Sequence, residues 1–506
     1  MISCYSLTLA HKQKERSIAS EALILTGVGV YVVIMIAIGI YAARGTHSVT
    51  DFIVAGRKLP LWLCSASVFA TWFGSGIMMG ATTSAYDRDF LAMVAEPYGS
   101  ALALLLTGLF FARIYRRSRR LTWIQFFEAR YGKFAGIFGL TADVVSGIIW
   151  LGGVLFTFGV LAEALTGLPM AVGIFVGLLV VVVYTMLGGM MAVALTDFVQ
   201  MVVLVVGLFV LLFVVLNDVG GWSVIAAQLP EHTVRAMPYE HTMANWVDYI
   251  HVWMTLGVAA VASNSIIQRA LSARTEAVAQ NSFFVATLGY VFIGSIPIVL
   301  GLIASVTMPG IEPNAVLTSI AIEHLHPVLV AIFVGAILSA FMSTGDSILL
   351  SIGSIISTNL LPVLRENPSD KLRMRVARFT IPVAALTASY VAFGAERVVE
   401  VIVESAAPLL AMTIVPFVLC FWWEKANKYG ALGGIVGGLV GWGAAAIIGT
   451  DFPPDFIGFG VSLVTMISVT LLTQEVCPPR PLSDIEGNPV ELTNRLFTFR
   501  RDAVKH

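Results

Sequence analysis

Residues 202–216 read VVLVVGLFVLLFVVL, fifteen positions without a charge or a strongly polar side chain. With the eleven residues before them they form one stretch, 191–216, long enough to cross a hydrocarbon core of roughly 30 Å, which takes about 20 helical residues. Inside a bilayer only helices or closed barrels satisfy every backbone N–H and C=O. A continuous apolar run does not carry the in–out alternation of a barrel strand. The stretch therefore predicts a transmembrane helix, and the chain as a whole an all-α integral membrane protein.

The composition agrees. Of 506 residues, 58% are hydrophobic and 12% charged, against about 25% charged in soluble domains. Too few charges are present to cover a water-soluble surface of this size, and the lipid bilayer is the expected surrounding. A net charge of −1 gives no reason to expect a nucleic acid, and no obligate protein partner is evident. Cys4, Cys64, Cys420 and Cys477 are scattered and form no CxxC pair, so neither a zinc site nor a disulfide framework is expected. His324 and His326 stand two apart and do not share a helix face; a loop or helix end suits them. No HExxH or comparable constellation appears, so neither catalytic residues, an enzyme activity nor a cofactor is expected.

Apolar periodicity gives about thirteen spans, near 22–43, 61–84, 91–112, 134–165, 169–188, 191–216, 245–264, 279–307, 326–360, 379–395, 398–421, 430–449 and 457–473. Lys and Arg in the connecting segments set the orientation. Twenty-four of the thirty fall in one set of loops and six in the other: Lys12, Lys14, Arg16, Arg88, Arg235 and Arg397. The rich set belongs in the cytoplasm, which places the C-terminus inside and the N-terminus outside, in a multi-pass cell (inner) membrane protein. The basic residues of the N-terminal tail run against that rule.

An odd number of helices per repeat inverts the second repeat. One leading helix, five, five and two trailing helices divide the chain into 1–60 (tail, leading helix, first cytoplasmic loop), 61–216 (first repeat), 217–244 (extracytoplasmic loop), 245–422 (second repeat), 423–473 (trailing pair) and 474–506 (cytoplasmic tail, disordered or surface-bound). Corresponding helices of the two repeats carry small, polar-flanked interruptions, Phe73-Gly74-Ser75-Gly76 and Ala262-Ser263-Asn264-Ser265. They read either as broken helices meeting at a binding site or as close packing through small residues.

Polar residues at membrane depth are costly and need a reason. Ala340, Ser343 and Thr344 share one helix face by their i, i+3, i+4 spacing, and Ala70 and Phe73 are spaced i, i+3 just before the first interruption. Two hydroxyls with carbonyls freed by a broken helix would make a neutral oxygen cage, which suits a hard cation. Alternatively, the hydroxyls bond back to carbonyls four residues earlier. Asp197 admits two readings, a helix N-cap or an ion ligand. Asp346 faces a polar pathway. Glu96, Asp143 and Glu404 are further candidates for buried acids.

Four segments resemble the sodium:solute symporter family. They are Asp51–Arg57 (DFIVAGR), Tyr184–Gln200 (YTMLGGMMAVALTDFVQ), Gln268–Ser272 (QRALS) and Met342–Ser347 (MSTGDS). The resemblance implies a LeuT-like inverted five-plus-five core and a sodium site of Ala70, Phe73 and Ala340 carbonyls with Ser343 and Thr344 hydroxyls. It also implies a second ion site at Asp197, Asp346 and Ser347, with Asp346 where relatives have serine. Ala70-Thr71-Trp72 and Trp150 are similar to the choline-carrier branch, with proline carriers next. Other aromatics of that branch's ligand cage are replaced by Ser100, Ser263, Ile402 and Leu410, so a complete cage for a quaternary ammonium is not expected. The implied activity is sodium-coupled symport of a small organic solute by alternating access, with sodium as coupling ion. Trp72, Ser75, Trp150, Asn264 and Glu404 are the expected substrate-lining residues. Proton coupling through Asp346 or Asp197 is the alternative within transporters. An ion channel, the alternative from another class, requires a continuous polar pore that these scattered acids do not make.

Overall fold

A computed structural model describes residues 26–492 apart from 28, 90–92, 231–232, 234–236, 239 and 397. The basic tail residues Lys12, Lys14 and Arg16, with Arg235 and Arg397, lie outside the described residues, as does the Ile402 side chain. The described chain is helical, and its large apolar side chains point outward as well as inward. Phe213 is 70% exposed, Phe292 71% and Ile447 89%, which suits a lipid surrounding and not an aqueous one.

Among the described residues, eight helices are long and apolar enough to cross a membrane, or up to eleven if each of three bent pairs is one span. The described chain begins with the shorter apolar helix α1 (Gly29–Ala43) and a short, largely buried helix α2 (Val49–Val54). The first bent pair is α3 (Leu61–Trp72) with α4 (Gly76–Tyr86), at 56°. The second, α5 (Val94–Phe110) with α6 (Ala112–Ser118), is also bent by 56°. Next come the short α7 (Ile124–Tyr131), then α8 (Lys133–Thr166) and the 49-residue α9 (Met170–Asp218). The third bent pair is α10 (Met243–Ala262) with α11 (Asn264–Ser272), at 46°. After α12 (Glu276–Thr307) and α13 (Val316–His324) come α14 (Pro327–Leu364), α15 (Asp370–Gly394), α16 (Val403–Trp422), α17 (Lys428–Ile448) and α18 (Pro454–Leu472).

The expectation of thirteen spans therefore exceeds what helix length and composition give. Two features account for the difference. The leading span, expected at 22–43, falls only in part within the described residues, as α1. The fifth and sixth expected spans run together in α9, where Gly189 alone leaves helical geometry (φ 59, ψ −156). A Cβ there would lie 2.5 Å from the Phe52 carbonyl of α2, so the break and the close approach both require glycine.

Both interruptions expected in the sequence are real breaks. At Phe73 the backbone turns out of helix (φ −73, ψ 62), and the Gly74 N–H donates to the Trp72 carbonyl at 2.7 Å. At Ser263 it becomes extended (φ −76, ψ 126). The bend between α5 and α6 was not expected. His324 ends α13, and His326 caps α14, its ring accepting from the Val328 N–H at 3.4 Å. Glycines 430, 434 and 438 recur every four residues along α17. A Cβ at Gly434 would come within 3.0 Å of Met466 of α18, which is the small-residue packing favoured between membrane helices.

At one end of the bundle the basic residues gather. Arg116 Nε donates to the Ala273 carbonyl at 2.5 Å, Arg117 pairs with Glu276 at 2.7 Å, and Arg57 donates to the Arg119 carbonyl. Residues 482–490 dock there: the Ile485 N–H donates to the Ser118 carbonyl at 3.1 Å, and Leu482 and Val490 are buried. This part of the tail, expected to be disordered or surface-bound, is an ordered turn against the loops.

Candidate functional site

The end of α3 meets the middle of α14. The Ser343 hydroxyl lies 2.9 Å from the Ala70 carbonyl and 3.0 Å from the Ala340 carbonyl, and Thr344 Oγ1 lies 3.2 Å from the latter. Four oxygens, two of them uncharged hydroxyls, thus line one contact between two helices. The approach is close because of Gly74: a Cβ there would stand 2.1 Å from Thr344 Oγ1. Phe73 is the residue at which α3 loses its helical form. All five positions expected for sodium are therefore at or beside one junction. The back-bonding alternative is also present, since Ser343 and Thr344 both reach the Ala340 carbonyl in their own helix; only Ser343 crosses to α3.

A second polar cluster continues from it. Ser347 Oγ donates to the Ser343 carbonyl at 2.6 Å and lies 3.1 Å from Asp346 Oδ1. The Tyr184 hydroxyl lies 2.9 Å from Asp346 Oδ2. Arg269, wholly buried, donates from Nη1 to the Ser265 carbonyl at 2.7 Å, from Nη2 to Ser347 Oγ, and from Nε to Ser67 Oγ at 3.3 Å. Ser67 in turn donates to Asp197 Oδ2 at 2.6 Å, and that carboxylate lies 3.7 Å from Arg269. Two carboxylates and one guanidinium share a site wholly buried in the protein, and Asp197 Oδ1 has no hydrogen-bond partner among the described residues. The N-cap reading of Asp197 is corrected: α9 runs unbroken through it, eight residues beyond Gly189, so no helix N-terminus is there to cap. Sequence reading missed Tyr184, Ser67 and Arg269 as members of this cluster.

The four motif segments touch one another. The Phe52 carbonyl abuts Gly189. Gln268 Nε2 donates to the Ile53 carbonyl at 2.5 Å and to Ser354 Oγ of α14 at 3.0 Å. Arg269 joins Asp197 to Ser347.

Beside the junction lies a cavity whose walls are helix faces. Asp143, Ser146, Gly147 and Trp150 of α8 are spaced i, i+3, i+4, i+7, and Ile348, Ser351 and Ile352 of α14 i, i+3, i+4. Trp72, Ser263, Ser265, Ala260, Ala406 and Leu409 complete the lining. Trp72 and Trp150 stack with centroids 5.8 Å apart, and Trp72 Nε1 donates to Ser265 Oγ at 3.2 Å, so the two helix breaks meet here. The free space is ≈ 20 Å³, about one water, so a solute requires the walls to part.

Of the expected substrate residues, Trp72 and Trp150 line this cavity. Asn264 stands behind it: its side chain accepts from the Trp123 N–H at 3.3 Å and donates to Ser351 Oγ at 3.0 Å. Ser75 is buried beyond the break, its hydroxyl without a partner among the described residues, and is not among the lining residues. Glu404 is exposed on α16 and does not line the cavity, which corrects its reading as a buried acid. Asp143, Ser146 and Ser351 were not assigned to the pocket from sequence, although the i, i+3, i+7 spacing of Asp143, Ser146 and Trp150 was the available signal.

The comparisons with known proteins fit this geometry. The human high affinity choline transporter 1 is 28% identical over 447 residues, covering 82% of this chain and 75% of its own. A high-affinity proline transporter of Bacillus subtilis is 25% identical, covering 89% and 98%. The sodium/glucose cotransporter of Vibrio parahaemolyticus is 25% identical, covering 80% and 82%. Among solved structures, a Na+-coupled sialic acid symporter in a substrate-bound outward-open state superposes with a TM-score of 0.77 at 21% identity, covering 91% of this chain and 99% of that one. The fold is thus the LeuT-like one. The sodium:solute symporter family itself matches residues 52–438, and the chain belongs to that family.

Proposed function

We infer that this chain couples inward movement of sodium to uptake of a small organic solute by alternating access, with sodium held by the Ala70, Phe73 and Ala340 carbonyls and the Ser343 and Thr344 hydroxyls. The observation that carries the assignment is the Ser343 hydroxyl placed between carbonyls of two different helices. A hard cation there replaces hydroxyl–carbonyl bonds with ion–oxygen contacts and ties α3 to α14. The same two helices supply Trp72, Ile348 and Ser351 to the cavity, so sodium binding sets the cavity walls. Each charge moved down the membrane potential supplies about 2.3 kcal/mol per 100 mV, to which the concentration gradient adds.

Asp197, Asp346 and Ser347 form a candidate second ion site, favoured by the excess of two carboxylates over one guanidinium and by the unpartnered Asp197 Oδ1. For the substrate we assign the cavity between α3, α8, α11, α14 and α16, with Trp72 and Trp150 as its aromatic wall and Asn264 as a brace. The end of the bundle bearing Arg57, Arg116, Arg117, Arg119 and Arg120 is cytoplasmic by the positive-inside rule. The surrounding is a cell membrane.

The test is thermal stability of the purified protein in sodium against potassium. Sodium is expected to raise Tm, and Thr344→Ala to abolish that rise. A ligand at 100 times its Kd adds roughly 2.7 kcal/mol, well within reach of the measurement. If sodium shifts nothing while lowered pH does, the coupling ion is a proton and Asp346 or Asp197 is its carrier.

A further inference from the structure

The cavity contains one charged group among its lining residues, Asp143. The residue is 6% exposed and lies within a membrane-spanning helix. The Asn264 N–H donates to its Oδ1 at 3.3 Å and the Trp123 indole also faces the carboxyl, but among the described residues no Lys, Arg or His pairs with it. A carboxylate held at membrane depth without a counter-ion is costly, and this one faces a space meant to be filled. Around it stand the hydroxyl-bearing residues Ser146, Ser263, Ser265 and Ser351, with the indoles of Trp72 and Trp150 beside them. Carboxylate and hydroxyl oxygens accept N–H bonds, and indole faces attract cations. A quaternary ammonium brings charge but no N–H, and only two aromatic rings line this cavity.

We propose that Asp143 is the substrate's counter-ion and that the transported solute is a small protonated amine, one bearing N–H groups. This rests on the cavity being the substrate site of a sodium symporter, as argued above. The spacing supports it: Asp143 and Trp150 lie two turns apart on the same face of α8, placing the carboxylate about 10 Å along the axis from the indole. That span suits an ammonium at one end and a compact apolar or hydroxylated group at the other. The small free volume excludes a bulky solute unless the walls move far.

The purified full-length protein would be titrated by thermal shift with ethanolamine, dimethylethanolamine, choline, the neutral 3,3-dimethylbutan-1-ol and acetate, in sodium and in potassium at one pH. The amines are expected to bind at least about tenfold tighter than the alcohol and than choline, as a charge-assisted hydrogen bond implies. Asp143→Asn is expected to bring the amines down to the level of the alcohol, and Asp143→Glu to keep part of the preference. If Asp143→Asn does not fold, the wild-type series decides by itself. Acetate or the alcohol binding as well as the amines overturns the proposal, as does a preference unchanged in Asp143→Asn, or no amine binding at all. Sodium-independent amine binding that needs Asp143 leaves this assignment standing and removes the coupling reading. Sodium-dependent binding of a neutral or anionic solute does the reverse.

Discussion

Arg269 shows how much one side chain holds together. It is wholly buried, and its three nitrogens reach the Ser265 carbonyl, Ser347 and Ser67, with the Asp197 carboxylate 3.7 Å away. A guanidinium does this because its donors are fixed in a plane and it stays charged. An ammonium has the charge without the fork. Arg269→Lys is therefore expected to lose at least one of these bonds and to cost about 1–3 kcal/mol, read as a lower Tm in detergent. Asp197→Asn removes the carboxylate paired with the buried guanidinium, leaving Asp346 as the second acid of the cluster, a change that costs up to about 3–5 kcal/mol, and it should lower Tm further than Arg269→Lys. Equal, small shifts for both would mean that the pair is screened by water and that the cluster is not dry. If Asp197 also ligates a second sodium, Asp197→Asn will in addition weaken the dependence of Tm on sodium concentration, which Arg269→Lys need not do.

At the scale of elements, the decisive features are the places where helices stop. Helix α2 begins with a capping box: Asp51 N–H donates to Ser48 Oγ at 3.0 Å and the Ser48 N–H to Asp51 Oδ2 at 3.1 Å. Burial pushes the Asp51 carboxyl up, but hydrogen bonds from Ser48 and from the His47 and Ser48 backbones, with the Lys58 charge, outweigh it and hold the group below the usual carboxylate range. A depressed folded value means that the cap is fully stabilising above the ordinary carboxylate range and is lost as pH falls from there through the lowered value. Ser48→Ala should cost about 1 kcal/mol at neutral pH and progressively less in acid; a cost independent of pH would sever the link to Asp51. The effect reaches the core because α2 presents the Ile53 carbonyl to Gln268 and the Phe52 carbonyl to Gly189. How much of this was legible follows from the range of each interaction. The junction residues could be read because Ala340, Ser343 and Thr344 share one helix face, and the breaks because Gly74 and Gly76 interrupt an apolar run. The membership of Tyr184 and Ser67 in the ion cluster could not, since their partners lie 162 and 130 residues away. Asp197 misleads for a related reason: it follows a glycine pair, as a cap would, yet the helix resumes at Met190 and passes through it. Glu404 has the composition of a buried acid but sits on the outward side of α16, a facing that only packing decides.

Over the whole molecule, charge and order converge at one end. The turn formed by residues 482–490 lies on the basic loop that follows α6, and two kinds of contact hold it. Arg119 and Glu486 pair at 3.3 Å, but both side chains are 60% exposed, and such pairs contribute little. Arg120 is 8% exposed and donates from Nε and Nη2 to the Ser483 carbonyl at 3.1 and 2.5 Å and from Nη2 to the Asp484 carbonyl at 3.2 Å. Buried charge-assisted bonds contribute about 1.5–3 kcal/mol each, so Arg120 and not the ion pair should keep the turn in place. Arg120→Ala is expected to free the segment and Glu486→Ala to leave it docked. Limited proteolysis read by mass spectrometry distinguishes them, with new cleavage between 474 and 492 in the first variant alone. The same cleavage reports sidedness. With the basic end cytoplasmic, protease cuts Arg120→Ala in inside-out vesicles and spares it in right-side-out ones. Cleavage from the opposite face would invert the topology, and with it the direction in which the sodium gradient drives the cycle. Equal cleavage of wild type and Arg120→Ala would mean that the turn is held by the burial of Leu482 and Val490 instead, and that the arginines of this loop serve orientation alone.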